Sequence, residues 1–124
     1  LPPFDASISC LLDDLSDRSL LERTLVVVMG EIGRTPKING GAGRDHWEFC
    51  YTVMMAGGGI KGGFVHGASD RRGAYPKTSP VTASDIIATI YHGLGIPADM
   101  EIRDRQDRPV LLVPEGTPIR ELYS

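Results

Sequence analysis

The densest run of chemically capable side chains lies between Gly30 and Glu48, GEIGRTPKINGGAGRDHWE. It holds Glu31, Arg34, Lys37, Asn39, Arg44, Asp45, His46 and Glu48. A carboxylate at Glu31 and an imidazole at His46 make a normal donor set for zinc or a related divalent ion. Asp45 is either a further ligand or the group that orients the neighbouring imidazole. Arg34 carries the planar fork that matches two oxygens of a phosphate or sulfate. The same residues also have a reading without any ligand. Glu31 then pairs with Arg34, His46 packs on Trp47, and Asp45 shapes a turn. Spacing alone does not choose between the two.

A second glycine-rich stretch, GGGIKGG over residues 57–63, has the look of a phosphate loop. It fails that pattern, because Lys61 is not followed by Ser or Thr and no helix signal comes after it. It reads as a tight turn, with Lys61 offering an anion contact. His66 and Asp70 follow in VHGASD and read as surface polar residues. His92, inside IIATIYHGLGI, reads as a helix-surface residue. The alternating charges of EIRDRQDR, residues 101–108, read as a solvated, self-paired segment.

These side chains need elements to hold them. TLVVVM, residues 24–29, is a β-branched run without alternation, the pattern of a strand buried on both faces. FCYTVMMA, residues 49–56, is a second run of that kind. Before them, Phe4, Ile8, Leu11, Leu12 and Leu15 recur at helical spacing, predicting a helix over 5–19 with Asp5 as N-cap. Thr82 and Asp85 form a capping box, and Ile86, Ile87, Ile90, Tyr91 and Leu94 mark the face of a second helix ending at Gly95. FVHG and Val110–Val113 read as short late strands, and 119–123 as a helical turn. Helix, short turn and buried strand together predict an α/β fold with a doubly wound, mostly parallel sheet. In such sheets ligands bind at the carboxyl ends of strands, which is where the 30–48 loop begins.

Composition narrows the function classes. The 124 residues are 41% hydrophobic and 23% charged, ordinary values for one globular domain. A net charge of −3 argues against a general nucleic-acid binder. No apolar run approaches the length of a membrane span. LPPFDASIS lacks the basic start and apolar centre of a signal peptide. Cys10 and Cys50 cannot build a disulfide framework, and their apolar neighbours predict buried free thiols. The compartment stays open, export included. Fifteen Gly and nine Pro predict long, shaped loops between short elements. The chain begins in mid-pattern, so residues 1–124 are expected to be one partial domain, the C-terminal piece of a larger one whose N-terminal part is missing.

GEIGRTPKIN, GRDHW, AGGGIKGG, ASDRRGAYP, PVTASDIIATIYHGLGI and LVPEGTPIREL, in that order, resemble the bacterial family called domain of unknown function 1501. That family is grouped with the alkaline phosphatase-like, or sulfatase-like, superfamily. The resemblance implies the C-terminal part of an alkaline phosphatase-like α/β domain acting on phosphate or sulfate esters, small or polymeric. It also implies a divalent metal (zinc, manganese or calcium), with the nucleophile upstream. Glu31 stands where the superfamily's Asp ligand would be, and His46 where its later His would be. Ile32 occupies the slot of the motif's second ligand and cannot bind a metal. That departure favours the alternative, a degenerate, non-catalytic binding or structural module.

Overall fold

The computed structural model describes residues 1–124. Helix α1 spans Pro2–Asp17, and a 3-10 turn follows at Leu21–Arg23. Strand β1 is Val26–Val28, β2 Gly33–Arg34, β3 His46–Trp47 and β4 Met54–Ala56. After these come β5 at Ala68–Ser69, β6 at Pro76–Thr78 and helix α2 at Ala83–Gly93. β7 at Glu101–Arg103, β8 at Pro109–Leu111 and a 3-10 turn at Arg120–Leu122 complete the order.

The expected doubly wound parallel sheet is not formed. The strands make four separate two-stranded sheets, β1–β4, β2–β3, β5–β6 and β7–β8, and every pairing is antiparallel. The two apolar runs do contain strands, but these pair with each other, Val26 opposite Ala56 and Val28 opposite Met54. An apolar run reports burial and says nothing about strand direction. Direction follows from the connection, and a parallel pair needs a crossover that is usually helical. Residues 29–53 hold no helix, so the chain turns back on itself. Nor is β1 buried on both faces; its three valines are all half-buried.

Helix α2 forms where its sequence signals lie. The Thr82 hydroxyl accepts from the Asp85 N–H at 3.1 Å, and the Asp85 carboxylate accepts from the Thr82 N–H at 2.8 Å. At the far end Gly95 adopts φ +73°, while Gly95 and Ile96 donate back to His92 and Tyr91. That satisfies the last carbonyls of the helix in a Schellman arrangement. Helix α1 starts earlier than Asp5, because Pro2 and Pro3 suit a first turn whose N–H groups have no partner anyway.

The core sits where α2 meets the C-terminal segment. Ala88 and Thr89 are fully buried and Val113 nearly so. The Thr89 hydroxyl donates to the Asp85 carbonyl at 2.6 Å and accepts from the Ile119 N–H at 2.9 Å. Tyr123 Oη donates to the Thr89 carbonyl at 2.8 Å. The GGGIKGG turn clasps this segment to the 3-10 turn that precedes β1. Gly58 donates to the Leu21 carbonyl, Ser124 donates to that of Gly59, and Ile60 bridges Tyr123.

Beyond this core the chain is open. Its surface of 9225 Å² exceeds the roughly 6,500 Å² of a compact monomer of its mass. Phe49, Met54, Phe64 and Val65 are among the exposed apolar side chains. Both cysteines are free, but Cys10 is exposed and Cys50 only half-buried, unlike the buried thiols expected. No helix is long and apolar enough to cross a membrane.

A polar hairpin as candidate functional site

The loop after β1 folds into a hairpin, with β2 and β3 as its base. Gly33 is buried, and a Cβ there would overlap the carbonyl oxygens of Cys50 and Trp47, so only glycine admits this close approach. On the other side of the base, Trp47 Nε1 donates to the Ala74 carbonyl at 2.6 Å. Its ring meets Phe49 and Tyr75 edge-on, at 5.0 and 5.5 Å between centroids. The base is thus fixed to the 70–76 turn, which Asp70 organises by accepting the N–H groups of Arg72 and Ala74. The bond from Ala74 is the main reason the Asp70 carboxyl is held below its ordinary range.

Register then brings two predicted residues together. Arg34 is the cross-strand partner of His46. The Thr35 N–H donates to the Asp45 carbonyl at 3.0 Å, which makes 35–45 the hydrogen-bonded position and 34–46 the non-hydrogen-bonded one. At such positions the Cα atoms stand only about 4.5 Å apart and the two side chains share one face. Both residues are exposed. Neither side chain takes part in the hydrogen bonds or ion pairs inside the chain, which lie elsewhere.

Other residues of the loop are committed to structure. Arg44 Nη1 donates to the carbonyls of Thr35 and Pro36 at 2.7 and 2.6 Å. Asn39 Oδ1 accepts from the N–H groups of Gly41 and Gly43, both at 3.0 Å, while its Nδ2 donates to Asp45 Oδ1 at 2.9 Å. Asp45 also donates its N–H to Thr35 Oγ1. The Asp45 carboxylate therefore faces the hairpin tip, on the side of the strand opposite His46. Sequence reasoning gave Asn39 and Arg44 no role. The signal was an Asn followed by Gly40, Gly41 and Gly43, a run able to fold back onto the Asn carboxamide.

Glu31 lies exposed in the bend between β1 and β2, with no ion pair to Arg34. Ile32 beside it is half-buried. Lys61 is placed apart from this hairpin. Its Nζ donates to the Glu121 carbonyl at 3.1 Å and lies 5.9 Å from the Phe64 ring centroid. It borders an open cleft of about 1380 Å³ that also reaches His66, whereas Glu31, Arg34, Asp45 and His46 do not line it. His66 is tied by Nδ1 to Glu121 Oε1, and His92 stacks edge-on to Tyr123. No three side chains among His, Cys, Asp and Glu converge as a metal-holding group. Glu31, Asp45 and His46 are thus not gathered into one such group.

Two helices and four short antiparallel strand pairs, one of them a polar hairpin presenting an arginine beside a histidine, define a loop-rich unit of mixed α and β structure. The chain belongs to the family described as "Protein of unknown function (DUF1501)", whose match runs over residues 1–123. No curated protein and no solved structure matches it.

Proposed function

We propose that the β2–β3 hairpin is the anion-facing edge of a phosphate- or sulfate-ester hydrolase of the alkaline phosphatase-like kind. The observation that carries this reading is the Arg34–His46 pair: two oxyanion-compatible side chains on one face, exposed and unpartnered, above a base fixed by Gly33 and Trp47. The Arg34 fork would bind two non-bridging oxygens of the ester. His46 would donate to a third oxygen or hand a proton to the leaving group. Were a divalent Lewis acid bound, Glu31 and His46 would supply two of its donors, His46 in place of that acid role. Further donors would have to come from outside residues 1–124.

The test is hydrolysis of p-nitrophenyl phosphate and p-nitrocatechol sulfate by the purified full-length protein, because the nucleophile is expected upstream of residue 1. Arg34→Ala and His46→Ala should each lower kcat/KM by about 100-fold, the usual order for losing one oxyanion donor or one general acid. Lys37→Ala should stay within about twofold, as befits an exposed side chain outside the pair. Absence of turnover of both esters, or equal activity in all variants, contradicts the reading.

A second reading, a binding module without catalysis, is favoured by half-buried Ile32 beside Glu31 and by the lack of any three-donor group. It predicts saturable sulfate binding that needs Arg34, with no ester turnover.

A further inference from the structure

We propose that the Asn39 carboxamide is the positioning group of this hairpin, the one that sets His46 against Arg34. The proposal rests on the anion-site reading for its functional meaning, but its structural content stands on different atoms. The strand pair holding the two residues is only two residues long on each side. Alone it has too few ladder bonds to fix a register. The connection from Thr35 to Asp45 must therefore impose it.

Arg44 and Thr35 Oγ1 also bridge the two halves of that connection, but Asn39 alone, through its carboxamide, ties the glycines of the tip to the residue that precedes His46. Through Oδ1 it gathers the Gly41 and Gly43 N–H groups, and its own N–H donates to the Gly43 carbonyl at 2.8 Å. Through Nδ2 it reaches past the tip to Asp45, the residue immediately before His46. Ala42, at φ +59°, turns the chain back toward Asn39, and its N–H donates to the Asn39 carbonyl at 3.1 Å. A carboxamide alone suits both ends, since it offers an acceptor to the glycines and a donor to the carboxylate. The charged groups nearby are accounted for. Arg44 is spent on the Thr35 and Pro36 carbonyls, and Lys37 lines the same small hollow as Asn39 and Asp45.

The test exchanges the two partners. Asn39→Ala removes both contacts without changing charge. Asn39→Asp keeps the acceptor for the glycines but sets a carboxylate against Asp45. The double variant Asn39→Asp/Asp45→Asn restores one donor and one acceptor with the original net charge. Two readouts are taken, the nuclear Overhauser contact between the Arg34 and His46 side chains without ligand, and the sulfate dissociation constant. Both single variants should weaken the contact and raise the sulfate constant by about fivefold, the scale of one lost hydrogen bond. The double variant should restore both to within about twofold. An Asn39→Ala protein with unchanged contact overturns the proposal, as does a double variant no better than Asn39→Asp. If the unaltered protein shows the contact but binds no sulfate, the anion reading fails alone, and the ligand-free contact still decides the role of Asn39.

Discussion

Asp85 accepts the N–H of Thr117 at 2.8 Å, a bond spanning 32 residues between the first turn of α2 and the C-terminal segment. The same carboxylate accepts the hydroxyl and N–H of Thr82 at 2.7 and 2.8 Å. One charged group therefore caps the helix and docks the segment that covers Ala88 and Thr89. Burial pushes the Asp85 carboxyl upward, but the bonds from Thr117 and Thr82 outweigh it, and the net displacement is downward from 3.8. A carboxylate with a depressed folded-state pKa stabilises the fold above its unfolded value. That contribution is lost as pH falls through the folded value.

The first prediction concerns acid. Urea unfolding followed from pH 7 downward should show stability falling below about pH 4, the ordinary carboxylate range. Asp85→Asn should be less stable at pH 7, because its one amide oxygen can serve only Thr82 or Thr117 while the NH2 faces the other, and should have a flatter pH profile. An Asp85→Asn protein with the same pH slope as the unaltered one would show that this carboxylate does not link folding to protons. Asp70, held low chiefly by the Ala74 N–H, and Asp104, held low chiefly by Arg108, add to the residual slope.

The second prediction concerns the glycine turn. Gly57 has φ +71°, and a Cβ there would run into the carbonyl oxygens of Thr24 and Leu21. Gly62 shows nothing within 4 Å of such an atom and has no left-handed φ. Gly57→Ala should cost more than about 1 kcal/mol, and Gly62→Ala should be near neutral or slightly stabilising. Thermal melts of the two variants settle the matter; equal melting temperatures would mean that GGGIKGG is not the clasp described.

Much of α2 was legible, because a capping box and a Schellman glycine are local signals that packing had no reason to override. The apolar runs around Val26–Val28 and Met54–Ala56 announced strands but not their direction. No residue in TLVVVM encodes the helix-free connection that turns the chain back. In the hairpin, Arg34 and His46 were legible as side chains with oxyanion chemistry. Their opposition was not, since it depends on a register imposed through Asn39, Gly41, Gly43 and Asp45. Lys61 drew notice because it follows a glycine run, yet its partner Glu121 lies 60 residues on, beyond the reach of any local pattern. EIRDRQDR pairs with itself as read, Arg108 with Asp104 and Arg103 with Asp107, around a β7–β8 hairpin that spacing did not show.

A third prediction follows from the surface. The chain exposes 9225 Å², roughly 2,700 Å² more than a compact monomer of its mass. With Phe49, Phe64 and Val65 among its exposed side chains, the chain leaves apolar surface that a compact monomer would bury. The purified 124 residues should bind a hydrophobic dye at neutral pH and self-associate in sedimentation runs at micromolar concentration. A dye-silent, monodisperse monomer with a sharp cooperative melt would contradict this.

The central claim is that Arg34 and His46 form one anion site. Its most direct test is a sulfate titration followed by NMR at the His46 ring and the Arg34 side-chain nitrogens. The account predicts saturable shifts at both residues with a single dissociation constant, abolished in Arg34→Ala and unchanged in Lys37→Ala. No saturable shift at His46, or a His46 shift that survives in Arg34→Ala, would contradict it.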